Sequence, residues 1–357
     1  MISLFWVLMA VYAMFFLNIL ANRLYTARMA KRNNTGGNPL PRISVVIPAR
    51  NEAANLHQLL PSLQRQEYPY FEVLVYDDAS EDETWEVIQG YSSKHLRGIR
   101  GKGPASGWLG KPHALFQASK HATGDVLLFL DADACFLHPK ALSHLVVQFS
   151  GLPTQAYLSG LPKLTGAGLL LVSLVPFLVT AALPMNLMRF GQFKSLSMLN
   201  GQCWMIRREH YEVLQPHEFA KDRILEDVEI GRYLKGQGVM PYLADLKKIL
   251  SVRMYDDFKD AWRGFRKNFY LVIGGGHPLL FVILWIGLTG LFVGAWWVSP
   301  WFLLAGVALK TLVDRFSGFS IGYSLLAPVS YILLSALLLD SAFSHLTGRV
   351  VWKGRRL

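Results

Sequence analysis

The order of apolar and polar positions between residues 42 and 270 predicts strands that alternate with helices. The predicted strands are short apolar runs at residues 43–47, 72–76, Val126–Leu130 and Cys203–Arg207. The predicted helices have apolar residues at helical spacing or a proline in the first turn, and they cover residues 52–64, 83–91 and 228–234 and begin at Pro112 and Pro139. An alternation of strands and helices predicts an α/β fold with a largely parallel, doubly wound sheet.

Three other stretches are apolar over a length that can cross a bilayer. They are residues 2–22, 278–298 and 320–339. Residues 2–22 contain no charge and lack a basic n-region and a small-residue cleavage site, so we predict an uncleaved transmembrane anchor. Residues 300–313 are apolar but short and contain Lys310, which leaves a short span, a re-entrant segment and a surface helix open.

Residues 167–188 form a further uncharged stretch, which lies inside the globular part of the chain. If this stretch crossed the membrane, the acidic motifs before it and after it would lie on opposite sides. Pro176 and Pro184 also interrupt it. We therefore predict helices that lie in the membrane interface, with a true span as the alternative.

The net charge of +11 and the 52% hydrophobic content set limits on the partners. The positive excess lies in residues 23–42, 245–267 and 349–357, beside apolar stretches, as is typical of the cytoplasmic flanks of membrane helices. The rest of the chain is near neutral, so we predict no nucleic-acid binding. The 2 cysteines exclude a disulfide framework and a cysteine-type zinc site, which fits a reducing compartment.

These patterns predict five regions along the chain. They are a transmembrane anchor at residues 1–22, a basic linker at 23–41 whose residues 33–41 are turn formers, a catalytic domain at 42–270, a C-terminal transmembrane region at 277–343 and a basic cytoplasmic tail at 344–357. The positive-inside rule places the globular part and the C-terminus on the same side, so the number of C-terminal crossings, two or three by length, is expected to be even.

Asp131 and Asp133 directly follow the predicted strand Val126–Leu130. Because they are two residues apart, both carboxylates point the same way if the strand geometry persists, at the sheet edge where open α/β folds bind ligands. Paired carboxylates suit Mg²⁺ or Mn²⁺ that is shared with a diphosphate. An acidic turn after a strand is the alternative.

Asp77 and Asp78 follow another predicted strand and should lie on the same sheet edge as Asp131. A carboxylate at this position can accept the N3–H of uracil. The alternative is a cluster that caps the helix beginning at Glu83, which accounts for part of the stretch DDASEDET.

Lys111 lies in the stretch GWLGKPH just before a helix start, where backbone N–H groups and a cation suit phosphate. A P-loop is excluded because Ala105 and Pro112 replace residues that the P-loop requires. No dinucleotide fingerprint of glycines follows a strand.

Glu226 and Asp227 open a predicted helix, and one of the two carboxylates could take a proton from an acceptor hydroxyl. We expect the helix N-terminus to hold that carboxylate ionised. The alternative is favourable first-turn charge alone. A basic strip before the second apolar stretch, formed by Arg253, Arg263, Arg266 and Lys267, could neutralise a diphosphate or bind anionic lipid headgroups.

Six motifs occur in a fixed order along the chain. They are VVIPARNE (45–52), DDASEDET (77–84), GWLGKPHAL (107–115), DAD (131–133), NGQCWMIRR (200–208) and ED (226–227). In this set the chain resembles the family 2 glycosyltransferases, which have the GT-A fold, over roughly residues 42–270. The stretches GWLGKPHA, RMY (253–255) and VWKGR (351–355) make it similar to the membrane-anchored subgroup that acts on carotenoids and hopanoids.

The resemblance implies a role for each matching residue. Pro48, Ala49, Glu52, Asp77 and Asp78 would hold the nucleoside, Lys111 would face the diphosphate, Asp131 would bind the ribose or the metal, Asp133 would bind the metal, Asp227 would be the base with Glu226 beside it, and Arg253, Arg266 and Lys267 would add to the nucleotide-sugar site. The processive synthases of this superfamily carry Q-x-x-R-W, whereas residues 263–267 read RGFRK. This departure argues against polymer synthesis and leaves the role of Arg266 open.

The resemblance implies an inverting, metal-dependent hexosyltransferase that uses a nucleotide sugar, expected to be UDP-linked, and Mg²⁺ or Mn²⁺. Its acceptor would be a membrane lipid, and the enzyme would lie in the bacterial inner membrane with its catalytic domain in the cytoplasm. The alternatives are a polyprenyl-phosphate glycosyltransferase, a processive polysaccharide synthase and an inactive membrane scaffold.

Overall fold

The computed structural model describes residues 2–31, 40–191, 193–352 and 355–356. Most of the predicted turn-rich linker at residues 33–41, and part of the predicted tail, lie outside the described residues. The chain divides into two compact units. The membrane unit contains the described residues of 1–24, 164–184 and 253–357, and the sheet unit contains those of 25–163 and 185–252.

The strands are short, as the apolar runs predict. They are β1 (Ile43–Ala49), β2 (Phe71–Asp77), β3 (Leu96–Arg100), β4 (Val126–Leu130), β5 (Ala134–Phe136), β6 (Ala156–Leu161), β7 (Lys163–Gly166), β8 (Cys203–Arg207), β9 (Met240–Asp245), β10 (Leu250–Tyr255), β11 (Val351–Trp352) and β12 (Arg355–Arg356).

The helices range from single turns to possible membrane spans. They are α1 (Ile2–Ala30), α2 (Ala53–Gln64), α3 (Thr84–Gly90), α4 (Gly110–Ser119), α5 (Ala141–Ser150), α6 (Leu169–Val172), α7 (Leu174–Ala182), α8 (Arg208–Leu214), α9 (Pro216–Phe219), α10 (Glu226–Gly236), α11 (Phe258–Gly274), α12 (Pro278–Thr289), α13 (Ala295–Val298), α14 (Trp301–Ser317), α15 (Ile321–Leu325) and α16 (Ala327–Leu346).

A seven-stranded sheet of order β3-β2-β1-β4-β8-β6-β9 forms the centre of the sheet unit. β8 runs antiparallel to β4 and β6, and the other pairings are parallel. The predicted doubly wound α/β sheet is therefore confirmed, as a mixed sheet. All residues of β4 are buried, as its unbroken apolar run predicts. Its carboxyl end, like those of β1 and β2, opens on one edge of the sheet.

The predicted helix at residues 52–64 is confirmed as α2, which begins at Ala53. Its four leucines at helical spacing, Leu56, Leu59, Leu60 and Leu63, are all buried. The helix therefore forms because a continuous apolar stripe can pack away from water.

Three helices among the described residues are long and apolar enough to cross a membrane, by length and composition. They are Ser3–Ala30, Pro278–Val298 and Ala327–Leu346. The last begins seven residues later than the predicted stretch at 320–339, because Pro328 lies in the first turn of α16 and α15 forms a separate helix before it.

α11 belongs to the membrane unit, which is why the sheet unit ends before the predicted domain limit of residue 270. Phe265, Phe269 and Tyr270 lie on its buried face. Ser341 of α16 joins the two helices, because its hydroxyl donates to the carbonyl of Arg266 and accepts the N–H of Tyr270. The apolar face of α11 therefore packs against α16, one of the helices that are long and apolar enough to cross a membrane.

The uncharged stretch at residues 167–188 contains the short helices α6 and α7. The helical part, Leu169–Ala182, is about 21 Å long at ~1.5 Å per residue, shorter than the ~30 Å hydrocarbon core. The amides of Asn18 and Asn22 donate to the carbonyls of Ala181 and Leu183 at 2.8 and 2.7 Å, which satisfies part of the C-terminal end of α7. The interfacial position of this stretch stays a prediction.

Lys310, which left the nature of residues 300–313 open, is fully buried in α14. Its ammonium lies 2.6 Å from both carboxylate oxygens of Asp314, one turn further along, and 2.9 Å from the hydroxyl of Ser173. The hydroxyl of Ser324 donates to the same carboxylate at 2.9 Å. A buried charge is tolerated here because it is both paired and hydrogen-bonded.

Candidate active site

One lysine and two carboxylates meet at the carboxyl edge of the sheet. Lys111 lies in the first turn of α4, Asp131 directly follows β4, and Glu226 opens α10. The Lys111 ammonium is 2.8 and 2.9 Å from the two oxygens of Asp131 and 3.3 Å from Glu226. Burial alone would lower the pKa of Lys111, but the negative charges of Asp131 and Glu226 raise it, so the ammonium stays charged.

Asp227 lies beside this ion-pair cluster. One of its oxygens accepts the N–H of Gly201 at 3.2 Å, and the other accepts the N–H of Val228 at 2.8 Å. Burial, followed by the negative charge of Glu226, raises the pKa of Asp227 to about 6, against the opposing effect of Lys111. With this pKa the carboxylate is still mainly ionised at pH 7, as the sequence led us to expect.

Gly201 is a site residue to which sequence reasoning assigned no role. A Cβ atom at this position would lie 3.2 Å from the Cβ of Asp227 and 3.2 Å from the Lys111 ammonium. The backbone can approach both side chains this closely because glycine has no side chain. The sequence signal that could have identified Gly201 is the stretch Asn-Gly-Gln directly before β8. The carbonyl of Gln202 in this stretch accepts the N–H of Asp131 at 3.1 Å.

Asp77 and Asp78 are both buried at the end of β2. Asp77 lies opposite Ala49 in the register of β1 and β2, and its carboxylate accepts the N–H of Ser80 at 3.0 Å. Asp82 instead accepts the N–H of Thr84, the first residue of α3, at 3.1 Å. The capping alternative therefore accounts for Asp82, whereas Asp77 holds the turn that follows β2.

The loops after β1 and β2 are locked to each other. Arg50 donates to the carbonyls of Asp78 and Ala79 at 2.9 and 3.0 Å, and its guanidinium pairs with Glu81 at 3.1 Å. Asn51 and Ala79 have φ angles of 54° and 56°, which is a strained conformation for residues other than glycine. Strain held in place by cross-loop hydrogen bonds indicates a preorganised site, and Arg50 is its positioning residue.

We expect Arg50→Ala to raise the KM for the donor roughly 3- to 10-fold with little change in kcat, because two hydrogen bonds that fix the Asp78 loop are lost. Steady-state kinetics with varied donor concentration measures this split. Arg65→Ala, at an exposed position at the end of α2, is the matched control. A 3- to 10-fold loss in kcat with an unchanged KM for the donor would show that Arg50 does not act through donor binding.

Pro48 and Glu52 lie on the same edge as Ala49, Asp77 and Asp78. Pro48 is in β1 and Glu52 precedes α2, where its carboxylate accepts the side-chain amide of Asn55 at 2.6 Å. The structure thus brings together the five residues expected at the nucleoside. Their role in binding stays a prediction.

Asp133 follows Asp131 in the turn between β4 and β5 and is half-buried. Among the described residues, no group of three or more His, Cys, Asp or Glu side chains is arranged to hold a metal ion. Mg²⁺ is commonly bound by one or two carboxylates together with substrate phosphates. Both oxygens of Asp131 face the Lys111 ammonium, so Asp133 is the carboxylate of the pair that we consider for the metal. The residues therefore fit a metal that Asp133 would share with a diphosphate.

Arg253, Arg266 and Lys267 belong to the membrane unit, not the sheet unit. Arg253 pairs with Asp256 at 2.8 Å, and Arg266 lies 3.8 Å from Asp340 of α16. The backbone carbonyl of Lys267 is 2.7 Å from the ring of His345. The expected part of these residues in nucleotide-sugar binding stays a prediction.

A solved structure shares the fold of the chain. The structure is similar to that of a mannosyltransferase from Pyrobaculum calidifontis, which was solved in complex with GDP-Man and Mn²⁺, with a TM-score of 0.55, 20% identity, and coverage of 95% of this chain and 99% of that chain. The chain has the GT-A fold of glycosyltransferases.

Residues 44–214 match the model of the family described as Glycosyl transferase family 2. The match covers 171 of the chain's 357 residues, and the resemblance to family 2 glycosyltransferases seen in its motifs is confirmed.

Two curated relatives share the name 4,4'-diaponeurosporenoate glycosyltransferase. The protein of Staphylococcus haemolyticus is 25% identical over 365 residues, which cover 95% of this chain and 94% of the relative. That of Staphylococcus aureus is 27% identical over 265 residues, which cover 68% of this chain and 65% of the relative.

Proposed function

We propose that the chain transfers a hexose from a UDP-linked sugar to a hydroxyl or carboxyl group of a membrane lipid, with inversion at the anomeric carbon. The observation that carries this proposal is the cluster at the sheet edge, where Lys111 bridges Asp131 and Glu226 and Asp227 lies beside them. A cation next to a base of near-neutral pKa suits a reaction in which a diphosphate leaves while a proton is taken up.

The residues at the ends of β1 and β2 would hold the nucleoside of the donor. Asp77 and Asp78 provide carboxylates near a turn that Arg50 fixes. Lys111 would face the diphosphate, and Asp133 would hold Mg²⁺ or Mn²⁺. The metal, when bound, supplies positive charge to the diphosphate as it departs.

Asp227 would act as the general base. Its carboxylate takes the proton of the acceptor O–H, the acceptor oxygen forms a bond to the anomeric carbon, and the bond from that carbon to the diphosphate oxygen breaks. UDP leaves from the opposite face, which inverts the configuration. Gly201 and Val228 hold the carboxylate through their N–H groups, so it is oriented before the acceptor binds.

A membrane lipid is proposed as acceptor for two reasons. The chain carries three helices that are long and apolar enough to cross a membrane, and its relatives are named for an acceptor with an apolar carotenoid chain. We also propose that the sheet unit lies on the cytoplasmic side, because the basic segments flank the apolar stretches.

We expect the purified enzyme, given UDP-sugar and extracted carotenoid or hopanoid lipids, to form a monoglycosylated lipid that partitions into organic solvent. Mass spectrometry of lipid extracts, compared with a reaction that contains the Asp227→Asn variant, identifies the product. Long water-soluble polysaccharide as the main product would contradict the proposal and support a processive synthase.

A further inference from the structure

A segment of the sheet unit, described over residues 185–191 and 193–196, carries exposed aromatic rings outside the site described above. Phe190 is 65% and Phe193 is 69% exposed, whereas Met185 and Met188 are buried. Short 3₁₀ turns at Met185–Leu187 and Lys194–Leu196 flank Gly191, whose φ of 60° turns the backbone sharply. The segment thus packs its methionines inward and presents its phenylalanines to the surroundings.

The charged residues next to these rings in the sequence have one sign. Arg189 and Lys194 are exposed beside the two phenylalanines, and the sequence contains no Asp or Glu between Asp133 and Glu209. Large apolar side chains flanked by cations, without acids, fit the headgroup region of an anionic bilayer. Phenylalanine and leucine are among the side chains that interfacial segments bury at the boundary between headgroups and acyl chains.

The contacts of the segment place it next to the end of α1. The guanidinium of Arg189 lies 6.0 Å from the ring centre of Tyr25 and 5.5 Å from that of Tyr242. The Tyr25 hydroxyl in turn accepts the N–H of Leu243 at 3.3 Å. Tyr25 is three residues after Asn22, where the uncharged anchor stretch of the sequence ends. The segment therefore lies where α1 is expected to leave the bilayer.

We propose that Leu187, Phe190 and Phe193, flanked by Arg189 and Lys194, form an interfacial loop that inserts into the headgroup region of an anionic bilayer. The chain leads from this loop to Gly201, whose N–H holds Asp227. Insertion would thus keep the base at a fixed height above the lipid. This last step rests on the proposed function, whereas the insertion itself does not.

Insertion can be measured without activity. In a Cys135→Ser background, Phe193→Cys is labelled with an environment-sensitive fluorophore, since Cys203 is buried and protected from the reagent. In nanodiscs that contain phosphatidylglycerol, we expect a blue-shifted emission that doxyl-labelled lipids quench. Val213→Cys, on α8 at a position that is 82% exposed, is the matched control and should not be quenched.

Two outcomes would overturn the proposal. The first is the absence of quenching at position 193, and the second is a signal that depends on protein concentration rather than on lipid, which would indicate a second copy of the chain on this surface. Weaker quenching in phosphatidylcholine nanodiscs than in phosphatidylglycerol nanodiscs would support the role of Arg189 and Lys194.

A transfer assay separates this inference from the proposed function. We expect the double variant Phe190→Ser/Phe193→Ser to transfer sugar to a bilayer-embedded acceptor roughly tenfold more slowly, because two apolar anchors are lost. Its hydrolysis of UDP-sugar in detergent should equal that of the unmodified chain. If the unmodified chain transfers no sugar to lipid, the proposed function is wrong. The quenching result still shows whether the loop inserts into the bilayer.

Discussion

The Asp227→Asn variant is expected to lose roughly 10²- to 10⁴-fold in kcat, the usual contribution of a general base, while its KM for the donor stays nearly unchanged. Asparagine keeps an oxygen that can accept the N–H of Gly201, so the local structure should survive. Single-turnover transfer and separate titration of UDP binding distinguish the chemical step from donor binding.

Two further variants test the assignment within this helix. Glu229→Gln removes a carboxylate from the same first turn of α10, where Glu229 pairs with Arg232 at 2.8 Å, and should retain activity. Glu226→Gln should impair the site less than Asp227→Asn, because Glu226 contacts Lys111 and no role as base is proposed for it. If Glu226→Gln were the inactive variant instead, the roles of the two acids would be exchanged.

The pKa of Asp227, raised to about 6, also predicts the pH dependence of the reaction. A base acts in its deprotonated form, so kcat/KM should fall as the pH drops below about 6 and level off above it. The Asp227→Asn variant should lack this acidic limb. If the acidic limb occurred at the same pH in both proteins, it would reflect the titration of another group.

Sequence patterns located four of the strands, β1, β2, β4 and β8, and the acids at the sheet edge, because both depend on local rules. The apolar run of β4 identified a buried strand, and the parallel order of β1, β2 and β4 placed Asp77 and Asp131 on one edge. The resemblance in motifs then assigned roles to these residues. Composition and length also identified the apolar helices that the structure contains.

Contacts between residues far apart in the chain could not be predicted in this way. Lys111 meets Glu226 only because α4 and α10 begin at the same edge of the sheet, a consequence of strand order. Arg50 was passed over because an arginine after a strand gives no local sign of the two carbonyls that it reaches on the neighbouring loop.

The reversed direction of β8 likewise has no signal in its own five residues. The raised pKa of Asp227 could not be predicted from the sequence for a related reason. The position at a helix N-terminus is visible in the sequence, whereas the burial and the neighbouring charge that outweigh it depend on tertiary packing.

Removal of the metal, or of its proposed ligand, should abolish transfer. We expect EDTA and the Asp133→Ala variant each to reduce activity by about 10²-fold or more, since a metal that neutralises a departing diphosphate stabilises the transition state by several kcal/mol. Asp125→Ala is the matched control, because this acid lies at the opposite end of β4, where it accepts the N–H of Arg42 at 2.9 Å.

A second readout makes this prediction independent of turnover. Electron paramagnetic resonance can measure Mn²⁺ binding in the presence of UDP. We expect Asp133→Ala to weaken this binding and Asp125→Ala to leave it unchanged. Because both oxygens of Asp131 face Lys111, Asp133 is the protein carboxylate that we expect to contact the metal first. Full turnover in EDTA, or unchanged Mn²⁺ binding by Asp133→Ala, would refute the metal site and leave Lys111 as the cation that faces the diphosphate.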